Sequence, residues 1–462
     1  MKQSPKSRFL AIVAAVSALS GVVGCNPRLP RPSIAIPARY IFGENFSQDT
    51  LDVGVEWWRI FGDDELNALE QRALENNNNV EIALSRIEQA HLQLAVVRSG
   101  FLPSFDFDVS VDGDYDNVDK YTVNYKIAPS MSWEFGVAGR LKHSLGAARA
   151  AILESEWACR GTMLSLTAEV ATTYFTLLQY ERTLEIARQS FVLRSESVAL
   201  VDSMFRYGMS SGLALEQARS LMFTAAADMA QYERAVKQTR LALNTLLSDP
   251  PVERDDTGLG LNLLTDFMPI DIPIGLPSDL LHRRPDVMEA YYALVASGEK
   301  VGIARAERFP SFAMTLTGGI AADKFKELFS GMPFVWGATR VMTQPLFSFG
   351  KLKRNEAIAR KSYMQSIAAY RQTMLEALSE VEQALVAVES YNAQTERYAE
   401  LVLANSSAAQ MTRALYDSGL SNYFDVLDAE RTLYDSQQQL IALVAQQYIN
   451  YVTLFKALGG GF

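Results

Sequence analysis

Three ionisable side chains near the carboxyl end, Asp425, Asp428 and Arg431, follow one another at intervals of three, so on a helix they share one face. A turn at Gly419 to Asn422 precedes them, which places the acids close to a helix start. Acids there offset the positive end of the helix dipole by ~0.3–1 kcal/mol each, and Arg431 is spaced to pair with Asp428. The spacing by itself goes no further. Other reactive groups are scattered. His91, His143 and His282 are the only histidines, far apart and in no metal-ligand spacing, so no metal site is expected. The run His282-Arg283-Arg284-Pro285-Asp286 has the composition of a phosphate or catalytic cluster, yet its proline reads better as the start of a helix. Gly258-Leu259-Gly260 lacks the further glycine and the helix of a nucleotide loop. The chain thus reads as one with no catalytic residue and no cofactor, not an enzyme. Its 462 residues carry 43 Lys and Arg against 53 Asp and Glu, and the net charge of −10 argues against a nucleic-acid partner.

Cys25 has the setting of a modified thiol. Lys2, Lys6 and Arg8 open the chain, an apolar core begins at Phe9 to Val16, and residues 1–24 have the layout of a secretory signal. Val22-Val23-Gly24-Cys25 resembles the bacterial lipobox, in which a small residue precedes a cysteine that takes a diacylglycerol before cleavage. A covalent lipid on Cys25 anchors a protein to a leaflet without spanning it. It also leaves Cys159 without a partner, which excludes a disulfide framework and makes Cys159 a packed or half-exposed helix residue. Past the signal there is no run of about 18 apolar residues, so no transmembrane helix is expected.

Long helices must carry the acids. No proline lies between Pro129 and Pro250 or after Pro345, and helix formers fill 139–206 and 350–417. At a rise of ~1.5 Å per residue, each run extends on the order of 100 Å, too far for an ordinary globular core. Val170, Leu177, Leu184, Phe191, Val198 and Phe205 recur every seven residues, a seam for a neighbouring helix, so a coiled-coil tube or hairpin is expected. Asp63 to about Gly100 reads as another helix, capped by Asp63 and interrupted only by Asn76-Asn77-Asn78-Asn79. Between helices the period changes to two. Phe105, Phe107, Val109 and Val111 alternate with Asp106, Asp108, Ser110 and Asp112, and a second run from Tyr121 to Phe135 does the same. Each is longer than the ~10 residues that cross a bilayer as a tilted strand. Tyr121 and Trp133/Phe135 stand near the ends, where interface aromatics sit. A soluble hairpin half-buried on a domain has the same period, and periodicity leaves both open.

The whole arrangement occurs twice. Gly139 echoes at Gly350, Tyr180 at Tyr391, Gly208 at Gly419 and Leu247 at Leu458, all 211 residues apart. Upstream the offset is 207, as between Pro103-Ser104-Phe105 and Pro310-Ser311-Phe312. Two copies of so long a period mark a duplicated half-subunit. The positions corresponding to Asp425 and Asp428 are Ala214 and Gln217, so the first copy manages without the acids. The last strand, about Phe334 to Pro345, holds Arg340 in phase with Phe334, Trp336 and Met342. An arginine facing mid-bilayer lipid costs ~2–4 kcal/mol, so Arg340 is expected near an interface, or the register slips there. Four strands cannot close a barrel, and open edges cannot sit in lipid, so strands that span must be pooled from several chains.

Several stretches then stand in a telling order: Gly275-Leu276-Pro277-Ser278-Asp279-Leu280-Leu281, Arg283-Arg284-Pro285-Asp286-Val287, Pro345-Leu346-Phe347 with Gly350, Asp425-Val426-Leu427-Asp428-Ala429, and the end Leu458-Gly459-Gly460-Gly461-Phe462. With them the chain from Cys25 onward resembles the TolC-type outer-membrane factors, in the lipoprotein (OprM/NodT-like) branch of efflux channels. The resemblance implies an all-α tunnel plus a transmembrane β-barrel. Three copies would form a homotrimer with a 12-stranded barrel and a 12-helix periplasmic α-barrel. On that pattern the chain divides into a lipoprotein signal (1–24), an acylated tether and equatorial segment (25–62) and a first repeat (63–248). The first repeat holds a β-hairpin at 104–136 and a helical hairpin at 139–248. A linker (249–277) leads to the second repeat (278–462), with strands at 311–347 and a helical hairpin at 350–458.

The implied function is that of the outer-membrane channel of a tripartite efflux pump. Such a channel is a passive exit for small molecules, delivered by an inner-membrane RND-type transporter and a periplasmic adaptor (membrane fusion) protein. Asp425 and Asp428 then form rings of carboxylates at the periplasmic constriction, a cation-selective gate with Arg431 as its latch. Gly208, Met209, Gly419 and Leu420 mark the hairpin tips that receive the adaptor. The chain departs from the family at Gly136 and Ala138, where an acid and a bulky residue are common; this touches only the strand-to-helix corner. A protein-secretion conduit is the alternative within transport, and a soluble lipoprotein adaptor without a barrel is the rival outside it.

Overall fold

A computed structural model describes residues 29–30, 32, 36–46, 56–116, 120–135, 138–251, 272, 274–275, 277–330 and 334–461. The signal 1–24, Cys25, Gly136, Leu276, Phe462 and most of the linker lie outside these residues. After a 3-10 turn at Trp57–Phe61 come α1 (Asp64–Asn76), α2 (Asn78–Ser99), β1 (Ser104–Asp116), β2 (Lys120–Phe135), α3 (Arg140–Arg206) and α4 (Gly212–Leu246). They are followed by α5 (Leu280–Arg283), α6 (Pro285–Ala306), β3 (Ser311–Ala322), β4 (Phe334–Thr343), α7 (Lys351–Asp417) and α8 (Tyr423–Ala457). The duplication shows in the lengths. Helices α3 and α7 have 67 residues each, α4 and α8 have 35, and α2 and α6 have 22.

The chain forms two compact units. The first gathers Ser85–Trp157 and Glu289–Gln372 and contains the sheet, a four-stranded antiparallel array in the order β1-β2-β3-β4. Its registers put like with like. Phe105 faces Met131, Val109 faces Ile127, Phe135 faces Phe312, and Phe312 faces Met342, so one apolar face runs across all four strands. The other face is polar, with Ser130 donating to Asp108 at 2.8 Å and Ser104 and Ser132 sharing a hydrogen bond of 2.7 Å. Gly319 lies where β3 presses on β2; a side chain there would strike the backbone of Ile127 and Ala128. Pairing between β3 and β4 is continuous from Ser311–Thr343 to Ile320–Phe334, so the register does not slip at Arg340.

The second unit gathers Ala35–Leu84, Ala158–Met288 and Thr373–Phe462. Asp63 caps α1, accepting from the N–H groups of Glu65 and Leu66 at 2.9 and 3.2 Å, and it also accepts from the Tyr174 hydroxyl at 2.7 Å. The asparagine run divides the helix at Asn77, whose side-chain oxygen accepts from Asn79 N–H at 2.8 Å and so competes with the helical ladder. Rings fill the core. Trp57 stacks on Phe455 at 5.4 Å and Phe175 on Tyr448 at 4.9 Å. Cys159 is buried, and burial raises its thiol pKa, with Arg160 opposing.

The seven-residue seam needs correcting. Val170, Leu177 and Leu184 are buried with Val236, Leu243 and Leu247, but Phe205 is exposed, and near that end Val201 is the buried residue. A 3.6-residue helix drifts ~20° per heptad against a strict repeat of seven, so over five heptads the seam rotates out of the contact. Likewise, Arg284, Pro285 and Asp286 of the His282–Asp286 run have structural roles. Pro285 opens α6, and the buried Arg284 binds the Asp286 carboxylate, Glu380 (2.7 Å) and the Ala457 carbonyl (2.9 Å). Burial opposes its charge, but the two carboxylates outweigh it and hold the guanidinium protonated.

Candidate functional site

The helical hairpins α3–α4 and α7–α8 turn at two glycines. Gly208 and Gly419 both have φ of 73°, and each closes a helix in the same way. Met209 N–H donates to the Met204 carbonyl (2.8 Å) and Gly208 N–H to Phe205 (3.0 Å); Leu420 donates to Leu415 (2.9 Å) and Gly419 to Tyr416 (2.8 Å). A Cβ on either glycine would touch nothing within 4 Å, so the requirement is the left-handed backbone, not space.

The next helix starts are also matched. Ser211 accepts from Ala214 N–H at 3.2 Å, and Asn422 accepts from Asp425 N–H at 3.0 Å. Asn422 is therefore the cap of α8, and Asp425 is not needed for that task. The Asp425 carboxylate instead accepts from the Ser421 hydroxyl at 2.6 Å. Asp428 stands a turn further along, beyond the first turn over which the dipole acts. It accepts from Arg431 at 2.7 Å, with the two side chains 53% and 55% exposed. Helix-start chemistry thus accounts for one acid and leaves the other. Gln217, Ser220, Phe424, Asp428 and Arg431 line a cavity of about 230 Å³ in this tip, where the first copy supplies neutral groups and the second the charges.

Packing holds the tip together beneath these groups. Val201, Leu215, Ala218, Tyr423, Val426 and Leu427 are buried together, and the Tyr416 and Tyr423 rings meet at 5.1 Å. Arg194, also buried, donates to the Leu221 carbonyl at 2.8 Å and lies 4.8 Å from the Tyr434 ring centre. Glu430 has its pKa raised by burial, with Arg413 and Arg194 opposing. Large apolar side chains stand exposed around the two turns. Tyr207 is 80% exposed, Leu420 77%, and Met209, Leu213 and Phe424 are exposed as well. Reading the sequence for glycines and acids finds Gly208, Met209, Gly419 and Leu420 but misses Tyr207, Leu213 and Phe424. The signal was there: large apolar residues within five positions of each hairpin glycine. Cys25 lies outside the described residues.

Comparison with known proteins places the chain in a lineage. The sequence profile of the family described as outer membrane efflux protein matches residues 69–248 and 276–460. The probable outer membrane lipoprotein SilC of Salmonella typhimurium is 30% identical over 462 residues, covering 98% of each chain. The solvent efflux pump outer membrane protein SrpC of Pseudomonas putida is 31% identical over 415 residues, covering 87% of this chain and 86% of its own. Among solved structures, the open state of the Neisseria gonorrhoeae MtrE outer membrane channel superposes with a TM-score of 0.83 at 27% identity, covering 94% of this chain and 98% of that one.

Proposed function

This chain belongs to the outer membrane efflux protein family, and from that premise we propose how it works as the outer-membrane channel of an efflux pump. Three copies pool their four strands into one 12-stranded barrel, and their helices continue it as a periplasmic α-barrel. The observation that carries this reading is the sheet. It has a coherent apolar face, a hydrogen-bonded polar face, and two strands, β1 and β4, with an edge left unpaired among the described residues. Unpaired N–H and C=O groups are not tolerated in lipid, so an outward apolar face with open edges requires closure by other copies. The polar face then lines the lumen. Among the described residues no helix is long and apolar enough to cross a membrane.

The duct performs no bond chemistry. Cys25 carries the lipid that holds the chain to the outer membrane. The apolar tips around Gly208, Met209, Gly419 and Leu420 receive a periplasmic adaptor, which joins the channel to an inner-membrane RND-type transporter. Asp425 and Asp428 form two rings of three carboxylates at the periplasmic mouth, and Arg431 latches Asp428 in the closed arrangement. Carboxylate rings favour cations over anions in transit. Measured in planar bilayers, the Asp425→Ala, Asp428→Ala double variant is expected to show a lower potassium-to-chloride permeability ratio than wild type. An unchanged ratio with conductance preserved removes the gate from the proposal.

A further inference from the structure

Arg340 takes no part in that mechanism, yet its position is singular. The register places it opposite Met314, and Met314 is opposite Trp133, so Trp133, Met314 and Arg340 form one row across β2, β3 and β4 on the apolar face. Among the described positions of that face it is the only charged residue. The other charged residues of the sheet, such as Asp106, Asp108, Asp112, Lys126 and Glu134, occupy alternate positions on the opposite face. Arg340 is exposed and makes no hydrogen bond or ion pair with any described residue.

The row lies near the end of the sheet that joins the helices. Trp133 donates its indole N–H to the Phe101 carbonyl, in the connection between α2 and β1, at 3.0 Å. Only the row Phe135–Phe312–Met342 comes between Arg340 and the strand ends on its own face. Arg340 is three residues from Thr343, the end of β4. That is about 10 Å along a strand, and less along the axis of a tilted one. A side chain so placed can keep its stem on the apolar surface and send its charged head to the interface.

We propose that Arg340 binds the phosphate of a phospholipid headgroup in the leaflet on the helix side of the barrel. This rests on the barrel reading above. Closing the barrel supplies no protein counter-ion. A neighbouring copy's β1 would bring Phe105, Phe107, Val109 and Val111 to the outward face and keep its aspartates on the luminal one. The anion must then come from the surroundings. A planar guanidinium fork matches phosphate in two parallel hydrogen bonds, whereas the adjoining Met314, Leu316 and Trp133 offer acyl chains an apolar wall.

The test uses the full-length protein purified in mild detergent, as wild type, Arg340→Leu and Arg340→Lys, each first checked for a detergent-stable trimer and β-sheet circular dichroism. Melting is followed with added dihexanoyl phosphatidylethanolamine, with dihexanoylglycerol, which lacks the phosphate, and with inorganic phosphate. The phospholipid is expected to raise the wild-type midpoint by several degrees and the other two additives to leave it unmoved. Arg340→Leu, which suits a lipid-facing strand, is expected to lose the shift, and Arg340→Lys to retain part of it as a point charge. An equal shift in Arg340→Leu, or an equal shift from dihexanoylglycerol, overturns the proposal. An equal shift from inorganic phosphate overturns its lipid half. Failure of the wild type to form trimers with β-signal instead defeats the barrel itself.

Discussion

Arg284 offers a stability experiment whose sign depends on where its partners sit. The guanidinium is buried, but the carboxylates it binds are not: the Asp286 and Glu380 side chains are 47% and 56% exposed. Replacing the arginine with methionine keeps the bulk and frees two acids that can turn to water. What stays behind in the interior is the Ala457 carbonyl, stripped of its donor at the end of α8. An unsatisfied buried acceptor costs about 1–3 kcal/mol, and Arg284→Met should cost roughly that much. Truncating both acids, Asp286→Ala with Glu380→Ala, does the reverse and leaves a buried cation without a counter-ion. That situation is worth about 3–5 kcal/mol of destabilisation. The double acid variant should therefore unfold before Arg284→Met although it leaves the more buried residue intact. The check is thermal unfolding of the purified full-length protein by circular dichroism, all variants at one scan rate. If Arg284→Met melts lower than the double acid variant, the desolvation argument is wrong and the arginine's packing dominates.

Two further outcomes follow from single positions. Glu70 is buried with neither carboxylate oxygen hydrogen-bonded to a side chain, and burial raises its pKa well above the usual carboxylate range. A raised folded-state pKa means its stability contribution is complete below the unfolded-state value of ~4.3 and is lost as pH rises through the folded-state value. Glu70→Gln should accordingly flatten the fall in melting temperature between acid and alkaline pH, and a fall as steep as wild type's counts against a protonated Glu70. At the hairpin tip, Gly419→Ala forces a left-handed φ of 73° on a residue with a side chain, at about 1–2 kcal/mol, while Gly419→Asn should cost less. Equal melting of the two variants argues against a backbone-strain origin.

Much of the architecture can be read from residue types because each element announces its own period and ends. The alternation from Phe105 to Val111 marks β1, and Pro285 and the cap at Asp63 mark helix starts without help from distant contacts. What sequence cannot supply is anything set by a partner element. The seam from Val170 fails at Phe205 because helix drift and the position of the opposing helix decide which face is covered. For Arg340 the sequence leaves two outcomes, a place near an interface or a slipped register; the pairing with Met314 shows that the phase is kept and the charge stands near the sheet's end. Arg284, similarly, read as a motif, but its buried contact with Ala457 joins residues 173 apart in the chain.

The acids at the hairpin tip show the same division. Spacing alone leaves Asp425 and Asp428 as helix-start residues. The internal duplication breaks that tie, because the two copies build the same element twice with different chemistry. Helices α4 and α8 have the same 35-residue length, follow glycines of the same φ and begin at a side-chain cap, Ser211 in one and Asn422 in the other. Where α8 carries Asp425, Asp428 and Arg431, α4 carries Ala214, Gln217 and Ser220. A hairpin of this length and turn therefore folds without the charges, and in α8 the cap is provided by a residue other than the acids. Folding of the hairpin thus has no demonstrated need for Asp428, which lies past the first turn and pairs only with the exposed Arg431.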